Sequence, residues 1–485
     1  MILVGANDYR DTQHQMIVAG FYRTTDGGLT WSDALLTLGS PTFYEGCDPA
    51  VTADAEGRFF AVYQADTANI GWRAYVQVST DLGATWGPCR LASLTNSQTD
   101  KSFCSCDISA TSPYHDNVYV SWTDMTSFVI DVARSTDHGQ TFSAPTQIST
   151  HTTCQGSITA SGPNGDVYAA WVYGGSPSAI ECNRSTNGGA SWGTAHNIAN
   201  CSGLQYYPAR CGTYRIPNCP SIGCDITNGP HRGWVYATWT SQISGSDLDI
   251  CFSRSTDGGQ TWSAPVQINV DPQNRMQFFP WLVVHPRTGD IAVSWMDCAA
   301  DPTECSYRAT GTISTDGGST WSSNVSISDQ ASNAANSDFV GDYTGCTFSS
   351  RGFFSSWPDL RNDGGDAYGA WWNDTMFVHL DYPQGGEAFG AGQEVTVRWH
   401  DRYMPDSVLV ELNRTYPSAA WDTLGKASCI ADSFIWHVTN PLSDHARLRL
   451  ISAVMPEKGD ASDADFVLGM PIPTRVTAYR IGADI

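Results

Sequence analysis

Ser255 to Trp262 reads STDGGQTW, and five relatives of this octapeptide recur along the chain: Thr24 to Trp31 (TTDGGLTW), Ser79 to Trp86 (STDLGATW), Ser135 to Phe142 (STDHGQTF), Ser185 to Trp192 (STNGGASW) and Ser314 to Trp321 (STDGGSTW). The third residues, Asp26, Asp81, Asp137, Asn187, Asp257 and Asp316, are spaced by 55, 56, 50, 70 and 59 residues. That interval fits one four-stranded unit with its loops, so the period points to a β-propeller. The residue types suit a hairpin. An Asp or Asn side chain caps nearby backbone N–H groups, the following Gly accepts positive φ, and the terminal aromatic packs on the sheet.

Between octapeptides the order repeats: a strand, a turn, a second strand ending in Trp and an acid, a variable loop, a third strand, the octapeptide and a short fourth strand. In the third unit the strands are expected at Cys106 to Thr111, Asn117 to Thr123, Ile130 to Ser135 and Thr146 to Ser149, from alternation and β-branched content. The first unit lacks an initial strand before Leu3, and a seventh, from Phe339 to about Phe377, has strands but no octapeptide. The fold expected is all-β, with seven blades favoured over six that share strands at the closure.

Composition agrees and excludes several functions. The chain of 485 residues is 15% charged and holds 45 Gly, 18 Trp and 20 Tyr, as expected of many short strands. Its net charge of -23 repels phosphate backbones and anionic membranes, so no nucleic-acid partner is expected. Only Lys101, Lys426 and Lys458 are lysines, which leaves arginine as the main cation and favours bidentate carboxylate contacts. No apolar run approaches the ~20 residues that a membrane-spanning helix needs. Fifteen cysteines without zinc-type spacing read as disulfides of an oxidising compartment, with Cys298 and Cys305 placed to staple a short connection and Cys211, Cys219 and Cys224 crowding one insertion. Secretion is therefore expected. Met1 runs straight into the strand-like Ile2 to Ala6, so a leader is expected to have preceded it.

The octapeptides resemble the Asp-box (BNR) repeat, S/T-x-D-x-G-x-T-W, and residues 1–380 are similar to the sialidase-like β-propellers that carry it. The resemblance implies that Asp26, Asp81, Asp137, Asn187, Asp257 and Asp316 are structural and lie on the face away from the ligand. Residues 381–470 lack the box and carry strands at Glu394 to His400, Ser407 to Asn413, Phe434 to Val438 and Ala446 to Val454. They resemble the Ig-like or fibronectin-III-like β-sandwich that trails many secreted enzymes, and residues 471–485 read as a linker or tail.

If the boxes join strands 3 and 4 at one face, the approaches to the inner strands lie at the other. Residues that differ from blade to blade there are the site candidates. Sialidases hold a substrate carboxylate with arginines and use an Asp acid and a Tyr nucleophile activated by Glu. The resemblance accordingly implies catalytic roles for Asp48 or Asp107 as acid and for Tyr343 or Tyr206 with Glu45 as the nucleophile pair. Ligand-binding candidates are Arg10, Lys101, Tyr206, Tyr207, Arg210, Arg275, Phe278, Asp342 and Arg361. Tyr44, Phe103 and Phe279 join Tyr206, Tyr207 and Phe278 as aromatics suited to sugar faces. The family's F/Y-R-I-P motif precedes the first box, whereas Tyr214-Arg215-Ile216-Pro217 lies between boxes four and five, and it is read as coincidental. No metal or cofactor is expected; calcium has only the chain's acidity in its favour, because no D-x-D-x-D-G loop occurs. The function expected is recognition of a glycan or surface glycoprotein on the face opposite the boxes. The alternatives are an exo-sialidase or other glycoside hydrolase, and a non-catalytic surface scaffold or adhesin.

Overall fold

A computed structural model describes residues 1–11, 16–36, 43–67, 71–94, 98–201, 206–208, 211–212, 214–242, 247–335, 337–349, 352–362, 365–372, 377–402, 404, 407–454, 456 and 458–469. Among them the regular structure is β, apart from one 3-10 turn at Cys429–Ala431. The chain divides into two compact units, the first ending at Trp372.

Among the described residues the first unit is a succession of seven antiparallel blade sheets, with a separate two-stranded sheet between the fourth and fifth. Blade 3 shows the plan, with its inner strand at Thr99–Cys106, its second at Val118–Asp124, its third at Val129–Ser135 and its outer at Thr146–Gln147. The register fixes two opposite edges, since Cys106 pairs Val118, which pairs Ser135 at the start of the box. Thr99 pairs Asp124 and Asp124 pairs Val129 at the other edge, where Lys101 lies. Blade 1 is three-stranded, Ile2–Asp11, Met16–Thr24 and Ser32–Leu35, and blade 7 likewise, Gly345–Ser349, Gly352–Asp359 and Asp366–Trp372. The two outermost units are thus the incomplete ones, as the sequence suggests.

Apolar clusters fill the space between neighbouring blades. One joins Phe60, Val62 and Val76 of blade 2 to Val118, Val120 and Trp122 of blade 3, and another joins blades 4 and 5 through Tyr168, Ile180, Ile222 and Trp239. Trp122, Trp171, Trp239 and Trp295, at matching second-strand positions, are fully buried, which explains the recurring Trp-x-acid as a blade feature. The box holds its own hairpin. Asp257 accepts from Ser255 Oγ at 2.8 Å, Thr261 N at 2.9 Å and Thr261 Oγ1 at 2.6 Å, while Gly259 N donates to Ser255 Oγ at 2.8 Å.

The boxes of blades 4, 5 and 6 are also gripped by the preceding blade. Arg134, Arg184 and Arg254, one residue before the end of their third strands, donate to box carbonyls of the next blade at Gly188 (2.9 Å), Gly258 (3.4 Å) and Gly317 (2.8 Å). Trp371 stands at the same position of blade 7, and its indole N–H donates to Gly27 O of blade 1 at 2.9 Å. This contact joins the last sheet to the first.

The cysteines depart from expectation. Cys305 is bonded to Cys211 and not to Cys298, across a separation of 94 residues. The bond ties the insertion before blade 5 to the start of the third strand of blade 6, Ser306–Ser314. The other thirteen cysteines are free thiols. Eight of these are buried and serve as small hydrophobes; burial pushes the Cys298 thiol up, and the nearby Asp297 adds to this.

The second unit has two sheets, one of Phe377–Tyr382, Glu394–Arg402 and Ser433–His437, the other built mainly on Ser407–Asn413, Ser443–Ser452 and Phe466–Gly469. Phe389, Trp436 and Phe466 meet at 5.5 to 6.1 Å between ring centroids and bridge the sheets. It is a small β-sandwich.

Candidate functional site

The inner strands share an irregularity that positions side chains around the propeller axis. Register shifts fall between Cys47 and Ala50, Asp100 and Phe103, Gln155 and Ile158, and Phe278 and Trp281. Within each lies a residue with positive φ: Asp48 (51°), Lys101 (50°), Gly156 (66°) and Phe279 (55°). Such β-bulges re-aim a side chain. At Gly156 an added Cβ would stand 2.5 Å from Cys219 Sγ, so glycine is required there because Cys219 fills the space. The bulges carry a common sequence mark, because Asp48, Lys101, Gly156 and Phe279 each stand immediately before a Pro or Ser.

Contacts across non-adjacent blades show that these positions converge. Lys101 Nζ of blade 3 donates to Asp342 Oδ2 at 2.9 Å and to Tyr343 Oη at 3.0 Å, both leading into blade 7. Tyr343 Oη donates to Asp48 Oδ2 of blade 2 at 3.5 Å. Asp48 is held by Asn7, whose Nδ2 donates to Oδ1 at 3.0 Å and whose Oδ1 accepts from Asp48 N at 2.6 Å. Asp100 accepts from Lys101 N at 2.8 Å and Gln155 Nε2 at 2.9 Å. Phe103 packs edge-on to Tyr343 and against Trp281.

Arg215 completes the cluster and corrects the sequence reading. Its Nε and Nη2 donate to Asp342 Oδ1 and Oδ2 at 3.0 and 2.5 Å. Tyr-Arg-Ile-Pro is therefore no idle string: Arg215–Pro217 pairs with Tyr206–Pro208 in a short hairpin that delivers the guanidinium. The Cys211–Cys305 bond anchors that hairpin four residues upstream, a long-range link that local sequence does not express.

The electrostatics separate the carboxyls. Burial raises Asp48 above the ordinary carboxylate range, against the lowering effect of Asn7 and Lys101. Burial also acts upward on Asp342, but hydrogen bonds from Arg215 and the charge of Lys101 outweigh it and hold the group low. Burial, then Asp48, Cys219, Asp100 and Asp342, drive the Tyr343 phenol well above its ordinary value. The Cys47 thiol is pushed up by burial and then by Asp48, Asp100 and Glu45, which places Glu45 among these acids.

Of the residues expected from sequence, Asp48, Tyr343, Lys101 and Asp342 come together. The acidic partner of Tyr343 is Asp48, not Glu45. Asp107 stands apart: it follows the far end of the inner strand, six residues or about 20 Å from Lys101. It accepts from Ser109 N at 3.1 Å and Ser112 Oγ at 2.5 Å and so caps a turn, as Asp225 does with Thr227 N at 2.7 Å. Phe278 is fully buried among Tyr214, Phe279 and Tyr307; Phe103 and Phe279 are buried too. Arg361 is committed to Asp359 and Asp329 at 2.8 and 2.7 Å. Arg275 uses its backbone N–H on Asp271. Arg210 and the side chains of Arg10, Tyr44, Tyr206 and Tyr207 lie outside the described residues. Two aromatics not singled out from sequence do border the cluster. Tyr9 is 65% exposed, and Asp48 contributes after burial to raising its phenol. Phe339 is 47% exposed, with the Arg215 guanidinium 5.8 Å from its ring centroid.

With six boxes each closing its hairpin and the buried polar cluster at the other edge, the repeat family can be stated: the BNR/Asp-box repeat matches residues 253–264. The chain carries the Asp-box repeat. No curated protein matches it in sequence. Among solved structures the Asp-box propeller is similar to the Hadza microbial sialidase Hz136, at 15% identity over 71% of each chain with a TM-score of 0.43. It is also similar to the NanB sialidase from Streptococcus pneumoniae, at 10% identity over 62% of this chain and 64% of that one with a TM-score of 0.41. A third likeness is to a PL25 ulvan lyase, at 11% identity over 76% and 89% with a TM-score of 0.45. Among the described residues no helix is long and apolar enough to cross a membrane, and no group of three or more His, Cys, Asp or Glu is placed to hold a metal ion.

Proposed function

We propose that the Asp-box propeller recognises a carbohydrate on the edge opposite the boxes, at the mouth formed by Asp48, Lys101, Arg215, Asp342 and Tyr343. One observation carries this reading: two exposed rings, Tyr9 and Phe339, border a buried hydrogen-bonding cluster supplied by separate blades. Rings stack on sugar faces while convergent polar groups read hydroxyls. A free glycan or a surface glycoprotein supplies the same chemistry. Cys211–Cys305 favours an oxidising compartment, and so a place outside the cytosol. The test is a glycan array probed with the intact chain, scoring bound protein and released sugar. Tyr9→Ala and Phe339→Ala should each weaken binding about fivefold or more without changing the melting temperature; undiminished binding in both removes the site.

Hydrolysis is the second reading, favoured by the opposed shifts of Asp48 and Asp342. One carboxyl shifted up and another shifted down within a single cluster is the pattern on which acid-assisted glycoside cleavage is built. Asp48 would then protonate the leaving oxygen, and the raised Tyr343 phenol argues against a phenolate nucleophile. Asp48→Asn should abolish any sugar release while binding persists; a wild-type chain that binds and releases nothing leaves recognition alone.

A further inference from the structure

The carbohydrate reading leaves open which sugars enter, and the charges at the mouth bear on this. Among the described side chains of the cluster the cations are Lys101 and Arg215, and both point at one acceptor. Asp342 Oδ1 takes Arg215 Nε at 3.0 Å; its Oδ2 takes Arg215 Nη2 at 2.5 Å and Lys101 Nζ at 2.9 Å. Two parallel bonds from a guanidinium plus one from an ammonium are how a protein holds a planar carboxylate ligand. Here the carboxylate belongs to the chain. Lys101 is 2% exposed and the Asp342 side chain 6%, whereas the Arg215 side chain is 54% exposed at the rim.

Among the described residues, what remains around this ion triad is acidic. Asp100 is paired to an amide and a backbone N–H, and Asp48 to Asn7 and Tyr343. Glu45 adds a third carboxyl near Cys47. The mouth therefore offers an arriving anion cations already engaged and carboxyls that repel it, in a chain whose net charge is -23.

We propose that Asp342 occupies, from within the chain, the place a ligand carboxylate would take between Lys101 and Arg215, so that the site selects uncharged sugars and rejects carboxylated ones. This rests on the carbohydrate reading above and adds its ligand class. Asp342 is thereby a specificity-determining residue.

The test uses the intact chain and oligosaccharides matched in all but charge: N-acetyllactosamine with its sialylated form, and methyl-esterified with free oligogalacturonate. Affinity is measured by calorimetric titration. The wild-type chain should prefer the neutral member of at least one pair by about tenfold or more. In Asp342→Ala, and less fully in Asp342→Asn, the preference should shrink or reverse as Lys101 and Arg215 become available to the ligand. Equal affinity for both members in the wild type overturns the inference and leaves carbohydrate recognition standing, as does an unchanged preference in a folded Asp342 variant. Should neither variant fold, salt decides in the wild type: the preference should narrow between 0.05 and 1 M NaCl, on the order of the loss expected when the Debye length falls to about 3 Å, and a preference indifferent to salt overturns it. Silence from every member overturns the carbohydrate reading itself and this inference with it.

Discussion

Asp257 shows why one residue type recurs in the boxes. Its two oxygens accept from a serine hydroxyl, a backbone N–H and a threonine hydroxyl at once, satisfying groups that a tight hairpin would leave unpaired. Asn187 does nearly the same: its Oδ1 accepts from Ser185 Oγ and Ser191 N, and its Nδ2 donates to Ser191 Oγ at 2.8 Å. Asp257→Ala should therefore cost on the order of 1 kcal/mol, as loss of a capping side chain does, with Asp257→Asn much milder and sugar affinity unchanged in both; thermal melts and titrations measure the two effects. The boxes also predict an acid response. Hydrogen bonds from Thr85 and Ser79 hold Asp81 at about 2, and those from Thr261 and Ser255 hold Asp257 at about 2 against the opposing effect of burial. A carboxyl whose folded pKa is lowered contributes stability that is full above its unfolded pKa of about 4 and is lost as pH falls through about 2. Melting temperature should drop steeply across that window, and an Asp81→Asn, Asp257→Asn double variant should flatten the drop.

At the scale of elements, the third strands do more than complete their sheets. Arg254 reaches Gly317 O and Ser319 Oγ at 2.8 and 2.7 Å, so blade 5 grips the box of blade 6. The arginine is visible as the recurring R-S-T before several boxes, but that it serves the next blade is not, because the contact spans 63 residues. At the closure an indole replaces it. Trp371→Phe keeps the ring and removes the bond to Gly27 O; it should lower the melting temperature more than Arg254→Met does, since it loosens the one seam that the continuous chain does not already tether. Equal effects of the two variants would show that closure carries no special weight. The inner strands carry the opposite lesson. Their period is readable, yet their bulges set which side chains face the axis, and a slip of one residue changes that set entirely.

For the whole molecule, the Cys211–Cys305 bond links the stability of the propeller to the geometry of its mouth. It closes a loop of 94 residues, and loop-entropy estimates put such a bond at about 4.7 kcal/mol. Cys305→Ser should lower the melting temperature by several degrees and weaken sugar binding, because Cys211 lies between the two strands of the hairpin that presents Arg215; a variant that melts early but binds normally would separate the two roles. The sequence by itself determined the all-β class, the propeller period and the hairpin role of the boxes, since these rest on side chains acting within four residues of their partners. It also singled out Lys101 and Tyr343 as residues that vary between otherwise similar blades, and placed Asp48 and Asp342 at the same inner-strand entries. Only the tertiary structure joined Arg215 to Asp342, paired Tyr343 with Asp48 in place of Glu45, and turned Asp107 and Phe278 away to a turn and a core. The reason is distance along the chain: the contacts that make the site span 41 to 295 residues, and no local preference encodes which blades meet across the axis.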